Sequence, residues 1–334
     1  TAVGYAAGNT MTTGIQNTLI GALAGDALTS GSYNVAIGYG ALSAEDDGSF
    51  NTAVGRGALQ AQDAGNAFNT ALGYNAGTAV TTGVENTLIG GLSGDSLTTG
   101  NYNIAVGSRA LQAEDEHGRN VAIGYNSLAT QNAGADAYNV GVGFKAGEAV
   151  TTGTFNTIIG ATAGDSLTTG TSNTVLGGEA LGAEDTTSFN VAIGNQALKV
   201  QDGGANNTAV GRQAGLAVST GSNNTILGRN AGDALTTGDN NIIIGYTAAA
   251  SAVDVSNEIT LGDGNISSIR CQVQTISSLS DERDKTNIQD STYGLDYINS
   301  LRPVTFEWNN REESVHKGTK DVGFIAQELQ KVDD

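Results

Sequence analysis

Asn34-Val-Ala-Ile-Gly38 returns as Asn51-Thr-Ala-Val-Gly55, Asn69-Thr-Ala-Leu-Gly73 and Asn86-Thr-Leu-Ile-Gly90, and the series runs on to Asn241-Ile-Ile-Ile-Gly245. Fourteen copies lie between Asn17 and Asn241, and eleven of the thirteen gaps between successive Asn residues are 17 residues, the others 18 and 19. Self-similarity at a fixed short period marks a solenoid. Each copy is a β-branched, apolar run closed by Gly, which reads as a strand and its corner. A helix would lose about 1 kcal/mol at each interior Gly relative to Ala. A single coil cannot bury its apolar side, whereas stacked coils can. The sequence predicts an all-β parallel solenoid of about 17-residue coils over residues 1–245, a capping segment over 246–279, and a small α+β domain over 280–334. Thr1-Ala-Val-Gly4 reads as the end of a coil, so the sequence is expected to continue a longer array.

Composition narrows the partners. The net charge is −19, and the array through Gly245 holds 7 Lys and Arg against 19 Asp and Glu. Such an acidic surface repels nucleic-acid phosphates and anionic membranes, so neither is an expected partner. The 48 Gly follow no collagen period, and the periodic apolar residues argue against disorder. The single Cys, Cys271, excludes an intrachain disulfide framework, and it reads as a buried small hydrophobe. No apolar run approaches membrane-spanning length.

With Asn as position zero, +1 is Thr, Val or Ile, +3 is Ile, Val or Leu, +4 is always Gly, and +7 is always Ala or Ser (Ala24, Ala41, Ser93). Small residues at +7 and +10 opposite bulky ones at +3 predict a narrow cross-section. The Asn column is expected to stack its amides coil on coil, each satisfying its neighbour and a turn backbone group. Position +11 cycles Leu28, Glu45, Gln62, Val80, then Leu97, Glu114, Gln131, Val150, so four coils form a larger repeating block.

Acidic corners at Glu45-Asp46-Asp47, Glu114-Asp115-Glu116 and Glu184-Asp185 invite a divalent-cation reading. They lack the G-G-x-G-x-D spacing of calcium-binding rolls, and solvated corners that discourage aggregation are the preferred reading; no cofactor is expected. Aromatics fall in two columns: Tyr33, Phe50, Phe68, Tyr102 and Tyr138 at −1, and Tyr39, Tyr74, Tyr125 and Phe144 at +5. Exposed ladders stack on sugar rings or on each other. Mutual packing is preferred, with Tyr39, Tyr74 and Tyr125 the candidates for glycan binding.

These Asn-x-Ala-x-Gly coils resemble the β-roll heads of trimeric autotransporter adhesins and, more closely, the repeat shafts of phage tail fibres. Both resemblances imply three chains associating about a long axis.

Beyond Gly245 the pattern decays into Asn257-Glu-Ile-Thr-Leu-Gly262, with a further strand expected over 266–276. From Ser280 the composition turns globular: a helix is expected over 292–301, strands over 304–308 and from Val322, then a helix to Val332. Ser280-Asp-Glu-Arg-Asp-Lys-Thr-Asn-Ile288, Leu295-Asp-Tyr-Ile-Asn-Ser-Leu-Arg-Pro-Val-Thr-Phe-Glu-Trp308 and Gly323-Phe-Ile-Ala-Gln-Glu-Leu329 resemble the intramolecular chaperone domain at the C-terminus of endosialidases and many tail fibres. That resemblance implies trimerisation followed by self-cleavage, with Ser280 the nucleophile, Lys285 its general base and Leu279–Ser280 the scissile bond. A Ser hydroxyl needs a base, and a desolvated Lys can serve. Five residues along a helix would point the pair roughly 140° apart, so the dyad needs a turn or a Lys from a neighbouring chain.

The function implied is a host-attachment fibre of a phage tail: an extracellular homotrimer, bound to other tail proteins and to a polysaccharide or outer-membrane receptor. Its only expected enzymatic activity is the self-cleavage. The alternative is a trimeric autotransporter-like adhesin. A polysaccharide-degrading tailspike would need paired carboxylates in a cleft. His117 and His316 are isolated in sequence and build no metal cluster or triad.

Overall fold

The three residues after each Asn form a strand, and the Gly that follows turns the chain out of it. In the computed structural model, which describes residues 1–183, 186–270, 301–307 and 320–325, this happens at all fourteen Asn residues, and one further strand at each end of the series brings the sheet to sixteen. The strands run from β1 (Ala2–Val3) and β2 (Thr18–Ile20) to β15 (Ile242–Ile244) and β16 (Ile259–Leu261). They pair in sequence order as one parallel sheet. Register is one coil: Thr157 pairs with Thr174, and Ile159 with Leu176. At the usual strand spacing, sixteen strands span about 70 Å. This is the solenoid that the 17-residue period predicts. The sixteenth strand extends it one coil past Gly245, within a compact unit spanning Thr1–Gly264.

The two longer coils keep the register. Thr52 pairs with Thr70 and Val121 with Val140, so the extra residues bulge elsewhere. They fall in the corner after +11, where Gly65 and Gly134 have open space around them. Elsewhere, backbone pairing continues around the corners, as in Gly40 N–H to the Ala22 carbonyl (3.0 Å) and Leu42 N–H to the Ala58 carbonyl (3.0 Å). Buried backbone groups are thereby satisfied from coil to coil.

The Asn column behaves as expected. Asn17 Oδ1 accepts from the Asn34 backbone N–H (2.8 Å), and Asn17 Nδ2 donates to the Gly31 carbonyl (2.8 Å). The same pair of bonds recurs at Asn34, Asn69 and Asn156. The amides form a buried spine, and its role is structural.

Side chains at +2, +7, +8 and +11 fill the interior, and they alternate in size by coil. Leu19, Gly25 and Leu28 are followed by Ala36, Leu42 and Glu45, then Ala53, Leu59 and Gln62, then Ala71, Gly77 and Val80. The apolar side chains among these are fully buried. The fourth, smallest set is filled by its neighbours: a Cβ on Gly77 would lie 2.5 Å from Leu88 Cδ1 and 3.1 Å from Leu59 Cδ2. The four-coil block is therefore a packing unit, in which large side chains of one coil occupy space left by small ones in the next.

The expected cross-section needs correction here. Position +2, not +3, points inward, because successive side chains on a strand face opposite sides. The +3 residues Leu72, Leu176 and Leu227 are 47%, 45% and 46% exposed. The +7 Ala and Ser residues lie inside the coil itself. Each chain thus has its own complete core.

Three corner columns adopt positive φ at residues other than glycine: aromatic and polar residues at −1 (Phe50, φ 67°; Glu85, φ 57°), mixed residues at +6 (Asn75, φ 52°) and buried leucines at +8 (Leu42, φ 52°). Each such residue costs on the order of 1 kcal/mol or more. Burying a leucine, worth about 1.5–3 kcal/mol, offsets this at +8.

In the second unit, Asn265–Asp334, the described strands are β17 (Val304–Glu307) and β18 (Lys320–Gly323). They pair antiparallel, with Glu307 opposite Lys320, an opposite-charge cross-strand pair. Residues 266–270 form no strand. Cys271, Trp308, the rest of the expected 266–276 strand, the helices expected over 292–301 and after Val322, and Glu184-Asp185 lie outside the described residues. No helix among the described residues is long and apolar enough to cross a membrane.

Candidate functional site

Three features of the array could carry chemistry or recognition, and all arise from like residues brought into register. The first is the pair of aromatic columns. Rings one coil apart stack along the array: Tyr33 on Phe50 at 5.2 Å, Phe50 on Phe68 at 5.0 Å, and Tyr138 on Phe155 at 5.3 Å. Two arginines are inserted between tyrosines. Arg56 lies 5.9 Å from the Tyr39 ring and 5.6 Å from Tyr74, and it donates to the Tyr74 hydroxyl (3.2 Å). Arg119 sits likewise between Tyr102 and Tyr138 (5.4 and 5.6 Å) and pairs with Asp136. Partly exposed cation–π pairs of this kind contribute about 0.5–1 kcal/mol each. Of the three glycan-binding candidates, Tyr125 stacks on Phe144 at 5.6 Å, and Tyr39 and Tyr74 each turn one face to Arg56. Each of the three rings therefore has one face taken by a neighbour within the array.

The second feature is the acid within the acidic corners. Glu45 and Glu114 are fully buried, which corrects the reading of these clusters as wholly solvated. Their +11 position is shared with Leu28 and Val80 and points into the coil. Glu45 Oε1 accepts from Gly48 N–H (2.7 Å), and its other oxygen from Gln62 Nε2 (3.2 Å). Glu114 accepts from His117 N–H (3.2 Å) and Asn120 Nδ2 (3.4 Å). Each carboxylate ties down the corner that follows it. Burial raises the pKa of both, and pushes Glu114 up to about 7. The arrangement brings Glu45 near Asp46 and Asp63, and Glu114 near Asp115 and His117, close enough to share a cation. His117, isolated in sequence, thus joins an acid cluster in space.

A pH dependence follows. A carboxyl held at about 7 when folded but near 4.5 when unfolded stabilises the protonated native state. Its contribution is complete below about pH 4.5 and is lost as pH rises through 7. The amount is up to about 3 kcal/mol. Glu114→Gln, which places there the residue that the next coil carries as Gln131, is expected to raise the urea midpoint at pH 8 and leave it nearly unchanged at pH 5. Equal shifts at both pH values would contradict this.

The third feature is the outer face of the sheet. Its +1 and +3 columns carry Thr, Val, Ile and Leu, and no charged residue from β2 to β16. Sequence reasoning missed this face because it put +3 inside. A hollow of about 300 Å³ also lies on the coil surface, lined by Thr162, Asp165, Glu179 and Lys199. Glu179 there is committed to Lys199 at 2.5 Å and Gln196 at 3.1 Å, which lowers its pKa.

Ser280, Lys285 and the Leu279–Ser280 bond lie outside the described residues. Comparison with known families covers that segment: residues 280–334 match the family model described as the chaperone of endosialidase, Peptidase_S74. No curated protein and no solved structure matches the chain. A parallel β-solenoid of about 17-residue coils followed by a segment that matches this family model fits a tail fibre with an intramolecular chaperone domain.

Proposed function

We propose that the chain forms the shaft and assembly segment of a phage tail fibre that mediates host attachment as a homotrimer. The observation that carries this reading is the chaperone-of-endosialidase match at 280–334, C-terminal in sequence to a long solenoid. In this reading the C-terminal segment gathers three chains and templates their assembly. The array then projects from the tail toward a cell-surface receptor, a polysaccharide or outer-membrane component. Its acidic, uncharged-faced and regularly stacked coils suit an extended extracellular spacer better than a catalytic cleft.

The proposal includes self-cleavage. The Ser280 hydroxyl attacks the Leu279 carbonyl carbon while Lys285 Nζ takes its proton. The C–N bond to Ser280 breaks, the proton passes to the departing amine, and water releases the resulting Leu279 ester. In a full-length precursor, Ser280→Ala is expected to abolish cleavage, since no hydroxyl remains to attack. Lys285→Ala is expected to slow it by at least the roughly 10²-fold that general-base catalysis supplies. Both variants should still assemble. Intact-mass spectrometry reads the result. An uncut wild-type precursor after prolonged incubation would reduce the pair to bystanders, and an assembly-defective, uncut wild type would remove the chaperone reading as well.

A further inference from the structure

Parallel sheets are found with both faces covered. Here one face is covered by the coil's own core, and the other stands bare along all sixteen strands. We infer that this bare face, built from the +1 and +3 columns, is where three copies of the chain meet, parallel and in register, around a common axis. The inference rests on the trimeric reading above and adds the surface that makes the trimer.

Three observations choose a further copy as the occupant. The face is periodic: every coil presents one β-branched or Thr side chain at +1 and one aliphatic side chain at +3, at the strand spacing. A partner that covers the whole strip must carry the same repeat, which a second copy does by construction. Second, the chain carries a net charge of −19, so copies repel through their other surfaces, yet β2 to β16 put no charge on this one. Third, the strip is large enough. A face about 70 Å long and about 10 Å wide offers roughly 700 Å² per chain, close to the ~800 Å² per partner of a stable interface.

Cross-linking tests the face separately from the trimer. In a Cys271→Ser background, Leu72→Cys and Leu176→Cys each place one thiol on the strip. Gln60→Cys places one on the exposed return leg of a coil. Treatment with a short bismaleimide is expected to give covalent dimers at 72 and 176, with the third chain of each particle unlinked, and none at 60. A trimeric sedimentation mass with no linkage at 72 or 176 would overturn the face and leave the trimer standing. A monomeric mass would overturn both.

Discussion

Replacing Asn156 with Ala is expected to cost about 3–5 kcal/mol, one of the two largest single-residue effects in the array. Asn156 is fully buried. Its Oδ1 accepts from the Asn173 backbone N–H at 2.9 Å and the Asn173 amide at 3.1 Å, and its Nδ2 donates to the Gly170 carbonyl at 2.8 Å. Alanine removes all of these at once. It strands a buried donor and a buried acceptor, each worth about 1–3 kcal/mol when left unpaired. Water cannot replace the lost partners in a spine packed this closely. Because each coil touches only its neighbours, the damage should divide the array into two blocks that melt apart. Hydrogen exchange should show loss of protection centred on coils 139–173. A loss below about 1 kcal/mol would mean that the amide spine is not what holds the coils together.

Gly160→Ala should be comparably severe, for a different reason. Gly160 turns the chain out of its strand at φ +138°, and a Cβ there would sit 2.7 Å from the backbone carbon and oxygen of Gly177 in the next coil. An L-residue at this φ is strained by about 1–3 kcal/mol. The clash is with backbone, so relief requires the two coils to separate and the sheet to loosen. A total above about 3 kcal/mol is expected. Gly91→Ala is the matched control. Its Cβ would meet nothing nearer than the Tyr74 carbonyl oxygen at 3.9 Å, and no positive φ is involved. It should be neutral or slightly stabilising, because alanine narrows the unfolded ensemble. Equal denaturation midpoints for the two variants would sink the corner argument.

The period, the strands, the Asn spine and the Gly corners were legible in the sequence because each is a one-residue rule repeated at 17-residue spacing. The direction of the strand side chains was not. With apolar residues at both +2 and +3, alternation fits either phase of a three-residue strand. Compensation across the coil held the answer. Where +2 is Leu (Leu19, Leu88) position +8 is Gly, and where +2 is Ala in the second and third coils position +8 is Leu (Leu42, Leu59). Two positions that trade volume must share one interior. The buried glutamates follow the same logic: Glu45 and Glu114 occupy a column whose other members include Leu28 and Val80. Charge suggested solvent, and the column outweighed it.

Local preference does not decide the corners. Left-handed backbone favours Gly and Asn, yet Leu42 (φ 52°), Phe50 (φ 67°) and Tyr33 (φ 62°) adopt it. The stack imposes one backbone path on every coil, and buried leucines and stacked rings offset the strain. The arginines between tyrosines could have been anticipated from the columns alone. Arg56 stands at +5 between Tyr39 and Tyr74, and Arg119 at −1 between Tyr102 and Tyr138.

Three self-contained solenoids are expected to assemble through an uncharged sheet face under a C-terminal chaperone. The most direct test is the mass of the native particle by sedimentation equilibrium at micromolar chain concentration. The expected value is three times the chain mass of 33.7 kDa. A single-chain mass, unchanged as concentration is raised, would contradict it.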